Sequence, residues 1–407
     1  MMKTPLITGL MVVLANALHA QVIPLRVTAD AKVVSPYPVS VVLSKSAIKR
    51  LPRSVKGSTV VSAQMVAVGK DKLKATFLVS NLAKGESRVY VLQPALPNDT
   101  TDLNATLSGT NAEVKRGENL IARYDVGTGP TKPFLYPIMP FGDGMHMTRQ
   151  WPVENGIDEK KDHPHHRGLW FTHGDINGID FWAESGDASH KIGKTVHETF
   201  TNLQSGPLQA ELTAKTDWND PDGNTIAKDI RTLVFTAVPM GLFLDFTVTI
   251  SATAGDLRWG DTKEGTFAIR VPELIKGEAS GVMTNAAGLT QGALWGKASP
   301  WVDNSGIINN KAVGIAIFDN PANPRFPTTW HARTYGLFAA NPFGIHDFDA
   351  SRKQEKNAGD LLMKKGTHVS FSYRLFFHTG NVRDASIGEL GMTFLNPPRV
   401  TLYNESK

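Results

Sequence analysis

Cysteine is absent from this chain of 407 residues. Without thiols the protein forms no disulfides, no thiolate-ligated metal sites and no cysteine nucleophile. Long apolar runs are also scarce: after residue 20, no segment approaches the roughly eighteen consecutive apolar residues of a membrane-spanning helix. The net charge of +5 is spread along the chain without a long basic run, so the sequence gives no support for nucleic-acid binding.

The beginning of the chain has the pattern of an export signal. Lys3 supplies a positive start, residues 6–18 form an apolar stretch too short to span a bilayer, and the small residues that follow end at Ala20. We therefore predict a signal peptide over residues 1–20, with cleavage near Ala20. The mature protein is then expected to be periplasmic or secreted, without a membrane span.

Tryptophan and histidine are missing from the early part of the mature chain. All eight tryptophans, and every histidine except His19, lie beyond residue 145. These residue types suit a site for a polar, ring-shaped ligand, so the later part of the chain is expected to carry the function. We predict a small accessory β-sandwich domain over residues 21–100, a loop around 97–104, and a larger β-sandwich domain over 101–400.

Alternating apolar and polar residues dominate the larger region. The pattern is strict over residues 369–377 and 242–250, and it recurs more weakly over 230–235 and 313–318. Period-two alternation is typical of half-buried strands in antiparallel sheets. The sequence therefore predicts an all-β fold, a large antiparallel β-sandwich, with few helices; the polar stretch 349–359 could hold a short one.

A histidine-rich stretch, DHPHHRGLWFTHGDINGIDFW, spans residues 162–182. Proline disfavours the α region in the residue before it, which predicts an extended His163 that shares a face with His165, while His166 points away. A strand is expected after Gly168, with residues 169, 171, 173 and 175 on one face. The Asn-Gly pair at 177–178 predicts a tight turn, followed by a return strand that carries Asp180 and Trp182.

Three interpretations of this stretch remain open. Two histidines at i and i+2 with a further ligand could hold zinc or iron. Alternatively, a histidine could move protons on a sugar, with Arg167 and Asp175 binding its polar groups and Trp170 or Trp182 stacking on the ring. In the third interpretation the side chains only hold the loop.

Two later motifs also carry candidate site residues. In GDTKEGTFAIRV, Glu264 lies at a strand entrance beside Lys263, which favours an ionised carboxylate suited to act as a base or nucleophile. In TTWHARTYGLFAANPFG, alternation puts His331, Arg333 and Tyr335 on one face of a strand, an arrangement suited to a ligand groove. A surface turn and an ordinary polar face are the alternative interpretations.

These three motifs together resemble the bacterial PmoA-like family, a group of largely uncharacterised secreted or periplasmic proteins. The resemblance covers roughly residues 105–380. It implies a genomic association with polysaccharide-degrading and sugar-modifying enzymes, which does not establish a mechanism. The β-rich pattern is also similar in architecture to the galactose mutarotase-like supersandwich of sugar epimerases, some lyases and glycosidase domains.

Our leading hypothesis from the sequence is a carbohydrate-active enzyme, such as a glycoside hydrolase, that uses acid-base chemistry. The alternatives are a non-catalytic glycan-binding protein and a histidine-ligated metalloenzyme. No cofactor is predicted, although a divalent metal is compatible with the histidines, and the expected partner is a glycan or small sugar. The predicted catalytic residues are Glu264, His166 and His173. The predicted substrate-binding residues are His163, His165, Arg167, Trp170, Asp175, Trp182, Lys263, His331, Arg333 and Tyr335.

Overall fold

The computed structural model describes residues 23–48, 57–94, 103–127, 131–156, 158–186 and 191–403. The predicted signal peptide over residues 1–20 lies outside the described residues, as does most of the predicted loop around 97–104. The chain divides into a smaller unit, Met1–Asp99 with Asn396–Lys407, and a larger unit, Thr100–Leu395.

Strands form most of the described chain. In the smaller unit the first five are β1 (Ile23–Thr28), β2 (Tyr37–Ser44), β3 (Thr59–Val68), β4 (Lys72–Val79) and β5 (Ser87–Pro94). The larger unit begins with β6 (Leu103–Ser108), β7 (Asn111–Arg116), β8 (Asn119–Asp125), β9 (Phe134–Ile138), β10 (Leu169–His173), β11 (Lys194–Gln204), β12 (Gln209–Asn219), β13 (Thr225–Val238) and β14 (Gly241–Ala252). It continues with β15 (Leu257–Trp259), β16 (Gly265–Arg270), β17 (Val282–Asn285), β18 (Trp301–Ile308), β19 (Lys311–Asp319), β20 (Trp330–Arg333), β21 (Leu337–Ala340), β22 (Leu361–Met363) and β23 (His368–Thr379). The last strand is β24 (Arg399–Leu402).

Helices are short and few. The α-helices are α1 (Lys45–Ile48), α2 (Ile345–Phe348) and α3 (Ile387–Leu395). Within the stretch 349–359, predicted to hold a short helix, only a 3-10 turn over Ala350–Arg352 forms. No helix of the described residues is long and apolar enough to cross a membrane.

The smaller unit is built on one six-stranded sheet with the order β2-β4-β3-β5-β1-β24. The first half of β3 pairs in parallel with β5, and its second half pairs antiparallel with β4. The last strand of the chain returns to this sheet, where Leu402 lies opposite Leu25 of β1. Residues 396–400, predicted for the larger domain, therefore belong to the smaller unit.

The larger unit contains two eight-stranded sheets. We call β20-β21-β16-β10-β9-β8-β7-β6 the site sheet and β11-β12-β13-β14-β23-β19-β18-β17 the back sheet. All described pairings within both sheets are antiparallel, as alternating apolar patterns favour. The four predicted strands lie in β13, β14, β19 and β23, which are neighbours in the back sheet. The predicted all-β antiparallel sandwich is confirmed.

Alternation gives the site sheet two different faces. Leu169, Phe171 and Phe267 point into the main core between the two sheets. Their neighbours Trp170 and Ala268 belong instead to a second, smaller apolar cluster on the outer face. Because side chains alternate along a strand, residues of even number in β10 and β16 point to this outer face.

The strand register places a row of four residues across the outer face. His331 lies opposite Ala339, Ala339 opposite Ala268, and Ala268 opposite Trp170. With neighbouring strands roughly 4.8 Å apart, the row is roughly 14 Å long. The two alanines in the middle carry only a methyl group each, so they leave room above the sheet between His331 and Trp170.

We predict that Gly168, which joins the histidine-rich loop to β10, tolerates no side chain. Its φ is +53°, and a Cβ there would lie 2.1 Å from the carbonyl oxygen of Leu135. Gly168→Ala should lower the free energy of unfolding by about 3 kcal/mol or more, because backbone strain and a clash with backbone add. Urea unfolding measures this change.

A matched control is Gly178→Ala in the tight turn. Gly178 has a φ of +80°, but nothing lies within 4 Å of the added Cβ. The cost there should be about 1–2 kcal/mol, from the left-handed backbone alone. Equal losses in the two variants would contradict the steric explanation for Gly168.

Candidate functional site

A cavity of about 260 Å³ opens on the outer face of the site sheet. Three segments that are far apart in the sequence supply its lining: residues 163–166, 263–264 and 331–335. All of the lining residues are among the predicted site residues. They are His163, His165, His166, Lys263, Glu264, His331, Arg333 and Tyr335.

The histidine loop, residues 162–168, is a turn and not an extended segment. The carbonyl oxygen of His163 accepts a hydrogen bond from the backbone N–H of His166 at 2.9 Å, and φ of His163 is +41°. The prediction of an extended His163, with His166 pointing away, is wrong. The turn brings three rings together, with centroids 4.8 Å apart for His163 and His166, and 4.4 Å apart for His165 and His166.

Parallel rings connect this loop to the sheet. His163 stacks on Tyr335 at a centroid distance of 4.8 Å and an angle of 10°. The ring of His166 in turn stacks on Trp170, with the ring centroids 5.3 Å apart. Trp170 rises from β10, so the loop rests on the outer face of the sheet beside the alanine row.

Asp162 anchors the histidine loop through two buried arginines. Its Oδ1 accepts hydrogen bonds from Nη1 of Arg149 and, at 2.8 Å, from Nη2 of Arg270. Nδ1 of His163 lies 3.2 Å from Oδ2. Burial alone would raise the pKa of Asp162, but the two arginines outweigh it and lower the pKa to about 2. The carboxylate is therefore ionised under all ordinary conditions.

Arg270 also fixes the tautomer of His166. Its Nη1 lies 3.2 Å from Nδ1 of His166. A guanidinium only donates, so Nδ1 must accept, and the ring proton of a neutral His166 is on Nε2. Burial lowers the pKa of His166 well below its ordinary value, and the charges of His165 and Arg270 lower it further. His166 is a neutral ring that offers an N–H to the cavity.

His331 has the opposite tautomer. Its Nδ1 lies 2.7 Å from the carbonyl oxygen of Lys263, which only accepts, so Nδ1 carries the proton. Nε2 then has a free lone pair and no hydrogen-bond partner among the described residues. Burial lowers the pKa of His331 to about 4. The cavity thus has one histidine that donates, His166, and one that accepts.

Glu264 supplies the only carboxylate among the residues that line the cavity. Its Oε1 lies 3.2 Å from Nζ of Lys263. Burial raises the pKa of Glu264, although Lys263 opposes this shift. Gly174 allows the close approach of this segment: its N–H donates to the carbonyl oxygen of Glu264 at 2.7 Å, and a Cβ on it would lie 2.8 Å from Cβ of Glu264.

Two of the predicted site residues do not line the cavity. His173, predicted to be catalytic, points into the main core, where its ring packs at 4.7 Å from Phe343 and its Nε2 donates to the carbonyl oxygen of Gly260 at 2.8 Å. Asp175 binds the guanidinium of Arg258 at 2.7 Å. Odd-numbered residues of β10 face the core, so His173 cannot reach the cavity that His166 lines.

Three other predicted residues are also absent from the lining of the cavity. Trp170 and Trp182 are buried, with 1% and 2% of their surface exposed, and so offer no open face for a sugar. Arg167 is paired with Glu184 through two N–H···O hydrogen bonds of 2.9 Å.

The prediction of a return strand after the tight turn is also wrong. Ile176 and Ile179 form the expected tight turn, but Asp180 then accepts the backbone N–H groups of 182 and 183.

Four residues of the site were not predicted. They are the Asp162 anchor with its partners Arg149 and Arg270, and Trp295, whose ring centroid lies 4.9 Å from Cζ of Arg333. Asp162 and Arg270 belong to the quoted motifs, and a carboxylate beside three histidines was an available signal. No sequence pattern marks Trp295.

The described residues contain no group of three or more histidine and acidic side chains arranged to hold a metal ion. Asp162 is engaged by two guanidinium groups, and Nδ1 of His166 by one. The arrangement instead offers hydrogen-bond donors, acceptors and one carboxylate in a partly buried cavity.

A family model described as a family of unknown function, DUF6807, matches residues 111–391. The chain belongs to this DUF6807 family. The matched segment contains all three motifs and every residue of the cavity. No curated protein sequence matches the chain.

Several solved structures are similar to this DUF6807 protein at low identity. One is a protein of glycosyl hydrolase family 38 from Enterococcus faecalis, with 9% identity and a TM-score of 0.39 over 95% of this chain and 48% of that chain. Another is a galactose mutarotase-like protein from Lactobacillus casei, with 11% identity and a TM-score of 0.30 over 68% and 100%. A family 36 α-galactosidase from Geobacillus stearothermophilus has 10% identity and a TM-score of 0.33 over 69% and 41%. The chain spans about half the length of the family 38 protein.

The anchor predicts how the stability of this DUF6807 protein depends on pH. The pKa of Asp162 is lowered in the folded state, so its contribution is present above the unfolded value near 4 and is lost as pH falls toward 2. Asp162→Asn should lower the free energy of unfolding at pH 6 by about 3–5 kcal/mol, because two buried arginines lose their counter-charge.

Urea unfolding of wild type and variant between pH 3 and 6 measures this effect. The difference between them should shrink as the pH falls below about 4. Asp143→Asn, which removes a more exposed ion pair with Lys311, is the control and should cost about 1 kcal/mol or less. A constant difference across the pH range would contradict the assignment.

Proposed function

We propose that this protein is a carbohydrate-active enzyme that cleaves or rearranges a glycoside by acid-base chemistry in the cavity on the site sheet. The observation that carries the proposal is the convergence of one carboxylate with a raised pKa and two neutral histidines of opposite tautomer. Such a set can exchange protons with a sugar and bind its hydroxyl groups in both directions, because each hydroxyl both donates and accepts.

Glu264 and His331 are the proposed proton-transferring pair. Burial raises the pKa of Glu264, which moves this carboxyl group toward the range in which a general acid or base works. Nε2 of His331 has a lone pair that can take a proton from a hydroxyl group or water. When one member of the pair takes a proton and the other gives one, both end the turnover in changed protonation states, and proton exchange with water restores them before the next turnover.

His166 has a binding role in this proposal, although the sequence suggested a catalytic one. To act as an acid it would have to carry a second proton on Nδ1, where Arg270 already donates a hydrogen bond. Its Nε2–H is suited to donate to a substrate oxygen. His163, His165 and Tyr335 border the same space, and the Tyr335 ring is itself covered by His163, which stacks on it at 4.8 Å.

The single carboxylate argues against hydrolysis by a pair of acidic residues. Glycosidases of that type place two carboxyl groups on opposite sides of the scissile bond, roughly 5–10 Å apart. Among the residues lining the cavity, Glu264 has no acidic counterpart. The mixed Glu264 and His331 pair is therefore preferred, and it serves rearrangement or elimination as well as hydrolysis.

The resemblance to the PmoA-like family and the predicted export signal over residues 1–20 support the proposal. A periplasmic or secreted location suits an enzyme that meets polysaccharides outside the cytoplasm. A non-catalytic glycan-binding protein would use the same cavity, but it would have no need for a carboxylate with a raised pKa beside a histidine with a free lone pair.

The direct test is Glu264→Gln, which keeps the shape and removes the proton-transferring group. Turnover of a glycan panel should fall by about 10²–10⁴-fold, while the melting temperature stays within a few degrees of wild type. Released reducing ends and anomeric signals in NMR spectra report hydrolysis and rearrangement, and absorbance of unsaturated products reports elimination. Glu198→Gln, an exposed residue on the back sheet, is the control and should keep full activity.

Full activity in Glu264→Gln would refute the assignment. A glycan that is bound but never converted by wild type would favour the glycan-binding alternative.

A second prediction concerns pH. The pKa of His331 is lowered to about 4, so its lone pair is available above this pH and is lost below it. The value of kcat/KM should therefore fall below about pH 4, and this acid limb should be absent from the residual activity of His331→Gln. Tryptophan fluorescence at each pH checks that the protein stays folded. An unchanged acid limb in the variant would contradict the role of His331.

A further inference from the structure

Arg333 presents a guanidinium group at the cavity without an acidic partner in the part of the chain that the structure describes. The residue is exposed, yet its position is defined by two rings. Its Cζ lies 4.9 Å from the ring centroid of Trp295 and 5.6 Å from that of Tyr335. An arginine held by aromatic faces loses little further entropy when its N–H edge binds a ligand.

The other arginines around the cavity are all committed. Arg149 and Arg270 bind Asp162, and Arg167 binds Glu184. These three arginines have a structural explanation, because a buried guanidinium group requires a carboxylate partner. Arg333 is exposed and pairs with no carboxylate of the described residues, so its N–H donors remain available to a ligand.

The charge that lines the cavity is unbalanced in favour of cations. Lys263 and Arg333 face one carboxylate, that of Glu264, which Lys263 already pairs at 3.2 Å. Behind the histidine loop, two arginines share Asp162. A further carboxylate, that of Asp347, does not line the cavity, and its Oδ2 accepts the backbone N–H of Lys263 at 2.9 Å.

We propose that the cavity takes a saccharide that carries an anionic group, and that Arg333 binds this group. A uronate carboxylate and a sulfate ester both present paired oxygen atoms that match the two parallel N–H groups of a guanidinium. The proposal rests on the proposed function for the sugar, and it adds the charge of that sugar.

Trp295 is a positioning residue in this proposal. It reaches Arg333 from a 3-10 turn over Gln291–Leu294, and its ring also packs edge-on against His331 at 4.9 Å. It therefore sets the distance between the anion-binding guanidinium and the proton-accepting histidine. The position requires a flat aromatic ring, and the indole N–H of Trp295 has no role in the proposal.

The test is calorimetric titration of Glu264→Gln with matched oligosaccharides, because this variant should bind a sugar without converting it. The probes are oligomers of galacturonate, glucuronate and mannuronate, their methyl esters, sulfated galactan oligomers and neutral galactan oligomers. At least one anionic oligomer should bind about tenfold or more tighter than its neutral counterpart, and this preference should weaken with added salt. If uronate oligomers bind most tightly, the recognised group is a carboxylate; if sulfated oligomers do, it is a sulfate ester.

Substitutions at Arg333 connect that preference to the proposed contact. In the same background, Arg333→Gln should remove the preference, and Arg333→Lys should retain part of it, because the charge remains without the planar fork. Trp295→Leu should weaken binding of the anionic oligomer less than Arg333→Gln does, and Trp295→Phe should restore it. Arg26→Gln is the matched control, since Arg26 is also exposed and lies 5.4 Å over a tyrosine ring, but in the smaller unit.

The outcomes separate this proposal from the proposed function. Equal binding of charged and neutral oligomers, no binding of any anionic oligomer, or a preference that survives Arg333→Gln would overturn the role of Arg333. Turnover of a neutral glycan that depends on Glu264 but not on Arg333 would leave the enzyme assignment intact. If anionic oligomers bind more tightly than neutral ones but no turnover depends on Glu264, the anion site is supported and the enzyme assignment is not.

Discussion

The contact on which the site depends is the carboxylate of Asp162 between two buried guanidinium groups. Arg270 belongs to β16 and Arg149 to the segment before the histidine loop, and the backbone N–H of Arg149 donates to the carbonyl oxygen of Arg270 at 3.0 Å. One ionised side chain therefore fastens the loop to the sheet. The same Arg270 orients His166, so the anchor determines both where the loop lies and which nitrogen of His166 carries the proton.

Much of this arrangement could be predicted from local patterns. Alternation over residues 242–250 and 369–377 was sufficient for the sandwich, because each strand must bury one face. Alternation also grouped His331 with Arg333 on β20, whereas Tyr335 lies beyond the end of that strand and lines the cavity from the turn that follows. These predictions succeed because the information they use lies within a few residues of each position.

The failures concern contacts between residues distant in the sequence. Alternation within β10 was correctly expected to separate His173 from Trp170, but only the strand order reveals which face is the core. The pre-proline preference at His163 is weak, and the hydrogen bond to His166 together with the Asp162 anchor overrides it. Trp295 approaches Arg333 from a turn between strands that no periodic pattern describes. Register and loop anchoring are tertiary properties, so a single sequence carries only indirect signs of them.

The histidines and the arginines around the cavity have different chemical roles. Burial and neighbouring cations keep His165, His166 and His331 uncharged near neutral pH, so they contribute hydrogen bonds and, at His331, a proton acceptor. Arginine keeps its charge at every accessible pH, because its guanidinium is not deprotonated in proteins. Cationic histidines would repel one another at centroid distances below 5 Å and would compete with the arginines for any anion. Neutral histidines allow a dense cluster of rings beside the alanine row, while permanent positive charge is confined to side chains held by a carboxylate or by aromatic faces.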